Sequence, residues 1–135
     1  MSNGLCTLCN LNDENIVHIF YKCPKICMLW NKIKDLIFKI SNVHIHINEE
    51  TVLFGYQSNC KHIRLIVNWI LFSGNWFLWK NRNNVKYGKE LCKPVDKIFC
   101  EVIQNCKFEI THFKNKAISK ITLDQIKYVL DNQKN

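Results

Sequence analysis

Cys6-Thr7-Leu8-Cys9, then Asn10-Leu11-Asn12-Asp13-Glu14-Asn15-Ile16-Val17, then His18-Ile19-Phe20-Tyr21-Lys22-Cys23 places four metal-type ligands in one short run. Two cysteines separated by two residues sit on a tight turn, so both sulfurs can point at one ion. The His-x4-Cys pair closes the loop from the other side, completing a tetrahedral set suited to Zn2+. With all four positions supplied by protein, such a site is closed. A closed site is structural rather than catalytic, because no position is left for a water to be polarised. The alternative is that these are unrelated thiols in a chain with 8 cysteines.

Around these ligands a longer pattern is present: Glu14-Asn15-Ile16-Val17-His18-Ile19-Phe20, Cys23-Pro24 and Leu29-Trp30. Together with Cys6 and Cys9 it resembles the zinc-binding segment found C-terminal to the reverse transcriptase in non-LTR retrotransposon polyproteins of the long interspersed element type. The family usually has Thr or Ser where this chain has Asn15. A weaker similarity lies in Trp76-Phe77-Leu78-Trp79-Lys80-Asn81-Arg82-Asn83, which is similar to the Trp/Lys/Arg-Asn helix that follows the knuckle in those proteins. The strong part covers about a quarter of the chain.

The resemblance implies a nucleic-acid-associated accessory region of a retroelement polyprotein, holding one structural zinc through Cys6, Cys9, His18 and Cys23. It does not bring an enzyme. No Tyr/Phe-x-Asp-Asp polymerase motif occurs in the chain, and the acidic residues are too scattered to hold two catalytic metal ions. The expectation is a non-catalytic fragment of a longer polyprotein, with the upstream reverse transcriptase region as a partner.

Of the 135 residues, 47% are hydrophobic, enough for one core with the knuckle as a satellite. Met1-Ser2-Asn3-Gly4 runs straight into the cysteine motif, without a basic n-region or an apolar h-region. Reduced thiols and an intracellular setting, nucleus or cytoplasm rather than secreted, are therefore expected. The net charge of +8 is unevenly spread: residues 1–59 carry five Lys and five acids, residues 60–135 fourteen Lys or Arg against six acids. A polyanion such as RNA or single-stranded DNA would be drawn to the second half, with an affinity that falls as salt rises.

Beyond the knuckle the periodicity is helical, giving an all-α fold of three main helices and a short fourth behind the CCHC knuckle. Residues 1–40 are read as the knuckle and first helix, and residues 41–135 as a basic helical region packing on it in one structural unit. Pro24 opens the first helix, whose apolar face runs Ile26, Leu29, Trp30, Ile33, Leu36, Ile37, Ile40. Ser41 to Asn48 reads as an extended connector, and Glu49 to Gly55 as a single turn. A second helix spans Cys60 to about Asn83, with Trp69, Phe72, Trp76 and Trp79 widening its apolar face and Ser73-Gly74 marking a kink or a close helix approach. Between Arg64 and Lys80 lie 15 uncharged residues, but Asn68, Ser73, Gly74 and Asn75 interrupt them, so a buried helix is expected and not a membrane span. Asn83 to Lys93 reads as a loop. Pro94 opens a third helix through Ile110 and Phe113 to about Ile118, and Thr122 with Gln125 forms a capping box for the last.

The densest basic stretch is Lys80, Arg82, Lys86, Lys89 and Lys93. There Trp79 and Tyr87 are the aromatics placed to stack on unpaired bases, and Lys80, Arg82, Lys86 and Lys89 would anchor phosphates. The alternative makes Trp79 core and the lysines a solvated helix end. In the knuckle, Tyr21 and Lys22 are the residues read as facing nucleic acid, while Phe20 packs against Trp30 or Leu29. Cys27, close behind Cys23, is a substitute ligand or a plain thiol; Cys106 falls on an apolar face and reads as core.

Overall fold

The computed structural model describes residues 4–112 and 120–133. Among these residues the regular elements are all helical, apart from one isolated antiparallel bridge between Leu5 and Asp13. A π-helical turn, His18–Lys22, is followed by α1 (Leu29–Ser41), α2 (Glu49–Phe54), α3 (Lys61–Gly88), α4 (Val95–Ile110) and α5 (Lys120–Asp131). Helix α3 lies centrally, touching the π turn, α1, α2 and α4, while α5 packs on α1 and α4. One apolar cluster runs from Cys6 and Cys23 through Ile33, Leu71 and Val102 to Leu130.

The apolar face read for α1 is buried from Ile26 to Ile40, but the helix begins at Leu29 and not at Pro24. Residues 24–28 turn more tightly: Ile26 N–H donates to the Cys23 carbonyl (3.0 Å), and Leu29 N–H to Ile26 (2.9 Å). These i→i+3 bonds keep Cys23 beside the knuckle before the α-helix settles. Asn42, in the left-handed region at φ 58°, ends α1, a conformation Asn tolerates well. The extended connector follows, with Ile45 buried. Asn48 then caps α2, its side chain accepting from Thr51 N–H at 2.9 Å. This six-residue α2 is the element that the reading as three helices and a short fourth reduced to a turn.

Helix α3 runs 28 residues, to Gly88, so the stretch from Asn83 read as loop is helical. Tertiary contacts explain the extension. Asn81 is buried, its amide oxygen accepting from Lys93 N–H (3.1 Å) and its amide nitrogen reaching Cys92 Sγ (3.6 Å). Arg82 is buried as well. A polar stretch therefore faces protein, and α3 ends where Lys89 adopts φ 59°.

The polar interruptions of the uncharged stretch each have a job. Asn68 bonds Tyr56 in both directions (2.7 and 3.1 Å), tying the loop before α3 to the helix. Asn75 donates to the Val52 carbonyl in the last turn of α2 (2.8 Å). Gly74 is a point of close approach inside an unbroken helix: a Cβ there would lie 2.7 Å from Ile33 Cδ1 and 3.3 Å from the Trp30 ring. No described helix is long and apolar enough to cross a membrane. The aromatic widening holds for Trp69, which is half-buried against the core, but not for Phe72 and Trp76, which are exposed.

Pro94 stands just before α4, which ends at Ile110 in a tighter turn through Thr111 and His112. Phe113 and the continuation to Ile118 lie outside the described residues. Thr122 sits inside α5, which already starts at Lys120, so Thr122 and Gln125 do not cap its beginning. Cys106 is core as read, and burial pushes its thiol up to about 12.

Candidate metal centre

Two local devices assemble the ligands. The first is a small hairpin-like knuckle in which Cys6 N–H donates to Asn12 (2.8 Å) and Asn10 N–H returns to Cys6 (2.9 Å). Asn10 turns the chain at φ 56°, and Leu8 N–H points at Cys6 Sγ (3.4 Å), so Cys6 and Cys9 project the same way. The second is the π-helical turn. Its defining bond runs from Cys23 N–H to the His18 carbonyl, at 2.9 Å. An i→i+5 bond matches the His-x4-Cys spacing, and the widened turn stacks both ligands on one side; such turns recur at functional sites.

Asn15 starts that turn. Its side-chain oxygen accepts from His18 N–H (2.8 Å) while its carbonyl accepts from Ile19 (2.9 Å). Asn, Ser and Thr serve this capping role interchangeably, which gives the departure at Asn15 a physical reading.

The ligand atoms of Cys6, Cys9, His18 and Cys23 all lie within 4.8 Å of one another. Cys6 Sγ and Cys23 Sγ are 3.8 Å apart, and Cys9 Sγ is 3.3 Å from His18 Nε2. Metal–sulfur bonds of about 2.3 Å in a tetrahedron put sulfurs about 3.8 Å apart, so the spacing fits an ion at the centre. Cys6, His18 and Cys23 are buried and Cys9 half-buried. Burial pushes Cys23 up to about 12, helped by the neighbouring cysteines. Burial acts upward on Cys9 too, yet the Leu11 and Asn12 backbone and the His18 and Cys6 side chains outweigh it and bring that thiol down to about 6. Packing three thiols and an imidazole this closely makes chemical sense with a cation present, which deprotonates its thiol ligands.

Cys27 stays outside this set. It is exposed, with Sγ 3.9 Å from the Pro24 carbonyl.

An ion pair that the sequence reading missed locks the knuckle to α3. Arg82 Nη2 bonds Glu14 Oε1 at 2.5 Å, with about a tenth of either side chain exposed, and Thr7 N–H donates to Glu14 Oε2 (2.9 Å). The hydrogen bond from Arg82, with its charge and the Thr7 N–H, holds the Glu14 carboxyl down to about 2 despite burial. Arg82 also lies over the Trp79 ring (5.2 Å), whose plane stacks near Phe20 (6.2 Å). Phe20 thus meets Trp79, while its carbonyl accepts from the Trp30 indole (2.7 Å). The acidic residue before the ligating His was visible as a letter; that its partner lies 68 residues away was not.

The residues read as nucleic-acid contacts divide. Arg82 faces inward against Glu14, a correction to its reading as a phosphate anchor. Tyr21 is half-buried, its hydroxyl donating to the Ile47 carbonyl (3.3 Å), and Lys22 pairs with Glu49 on α2 (3.0 Å). Trp79 keeps 39% of its surface. Lys80, Lys86, Tyr87 and Lys89 are exposed along the end of α3, whereas Lys93 pairs with Glu101 (2.8 Å).

No protein-family model matches the chain, and neither a curated protein nor a solved structure matches it significantly. The geometry on its own defines an all-α domain with an N-terminal Cys/Cys/His/Cys cluster able to hold a metal ion.

Proposed function

We propose that the chain is a non-catalytic accessory domain in which one structural Zn2+, held by Cys6, Cys9, His18 and Cys23, pins the N-terminal knuckle to a helical body that contacts RNA or single-stranded DNA. The observation that carries it is the convergence of the four ligand atoms within 4.8 Å in a buried, protein-closed site. Soft thiolates with one imidazole, in tetrahedral spacing, favour zinc over harder cations. Its place beside a non-LTR reverse transcriptase, inside the cell, rests on the pattern from Cys6 to Trp30.

The nucleic-acid face is the exposed end of α3, which carries Lys80, Lys86, Tyr87 and Lys89, with the Lys86 ammonium 5.5 Å from the centre of the Tyr87 ring. Salt-dependent binding to single strands follows, with a slope of about −0.7 per phosphate neutralised. Fluorescence anisotropy with a labelled single-stranded RNA, repeated across salt, tests this. Lys80→Glu/Lys86→Glu/Lys89→Glu should flatten the slope by about 2, while Arg82→Gln should act on stability instead. An unchanged slope in the triple variant counts against this face.

A second reading, in which zinc only stabilises the fold, is favoured by the inward commitment of Arg82 and Tyr21. It predicts zinc-dependent folding without any RNA or DNA binding.

A further inference from the structure

Between α3 and α4 lies a cleft of about 400 Å³ lined by Trp69, Phe72, Ser73, Trp76, Asn105 and Glu109. It belongs to neither the metal centre nor the basic end of α3. Phe72 and Trp76, one helical turn apart, are 51% and 58% exposed, so two large aromatic faces border it in water. Its polar lining residues are hydrogen-bonded to one another. Asn105 donates to Ser73 Oγ (3.3 Å) and to Glu109 Oε1 (3.0 Å), and the Trp69 indole N–H donates to that same Oε1 (3.0 Å). Among the described residues no hydrogen bond reaches Glu109 Oε2, and no ion pair engages the carboxylate.

We infer that this cleft takes an unpaired nucleobase carrying an exocyclic amino group, stacked on Trp76 or Phe72 with its N–H edge toward the Glu109 carboxylate. The inference rests on the single-stranded nucleic-acid reading above and names what that partner presents. A planar ring satisfies the aromatic walls, and a carboxylate acceptor selects an amino edge over a carbonyl edge. Lys80, one turn beyond Trp76 and about 6 Å further along the axis, continues the same side of α3 toward the basic end, where a backbone would run. A partner arginine could also stack on Trp76 and meet Glu109. The net charge of +8 disfavours a cationic partner and favours a polyanion.

Anisotropy titrations of the zinc-loaded protein with labelled 12-mers of cytidine and uridine ribonucleotides separate these outcomes, with hexa-arginine peptide as the third probe. The cytidine strand should bind about tenfold tighter than the uridine strand, the worth of one hydrogen bond to a charged group. Glu109→Gln, which keeps an oxygen for the Trp69 indole, should erase that preference. Trp76→Ala, a truncation at the surface, should weaken the cytidine strand by about tenfold. If both strands bind and neither variant changes them, the cleft assignment is overturned and the nucleic-acid reading survives. If neither strand binds, that reading falls and the cleft assignment with it. Glu109-dependent binding of hexa-arginine alone would give the cleft to a protein partner and overturn the inference.

Discussion

Glu14 shows how a single side chain joins two parts of this molecule: one oxygen takes Arg82 of α3, the other takes the backbone N–H of Thr7 inside the knuckle. Removing its charge leaves a buried guanidinium without a counter-charge, so Glu14→Gln should cost about 3 kcal/mol in urea unfolding at pH 7. The sign with pH is fixed by the depressed carboxyl. Because Glu14 falls from 4.5 to about 2 on folding, its contribution is complete above pH 4.5 and is lost as pH drops towards 2. The gap between wild type and Glu14→Gln should therefore close over that window; a gap that persists at pH 2 would show that the pair does not stabilise through charge. At this scale the cluster of Cys6, Cys9, His18 and Cys23 was readable because Cys-x2-Cys and His-x4-Cys are local spacings. Arg82 was misread because nothing near it in the chain marks its partner, and a basic residue among basic residues reads as surface.

Helix α3 carries most of the architecture, and its packing turns on Gly74. Ala there gains about 1 kcal/mol of helix propensity, which offsets the rotation of Ile33 Cδ1 away from the new methyl, so Gly74→Ala should be near neutral. Gly74→Leu has no room against Trp30 and should cost about 3 kcal/mol by thermal or urea unfolding; a neutral Leu variant would mean that α1 and α3 are not in close contact there. The 3.6-residue period made the buried faces of α1 and α4 legible in the sequence. Ends were less so. Leu29 starts α1 because i→i+3 turns hold residues 24–28, and α3 outruns its apolar pattern because Asn81 and Arg82 find partners in the loop after it and in the knuckle. Aromatic residues mislead for a related reason: Trp and Phe raise the apolar count of any helix face, yet Phe72 and Trp76 border an open cleft.

For the molecule as a whole, the metal centre is continuous with the core. Cys6 and Cys23 belong to the same apolar cluster as Ile33 and Leu130, and Trp30 links α1 to the π turn through the Phe20 carbonyl. The free energy of metal binding at this cluster would then be folding free energy, as in small zinc domains. The most direct test of this account is native mass spectrometry of protein purified without chelator, beside a Cys6→Ser/Cys9→Ser variant. One zinc per chain in the wild type and none in the variant is the predicted result; no zinc in either, with the wild type still folded, would contradict a structural metal centre.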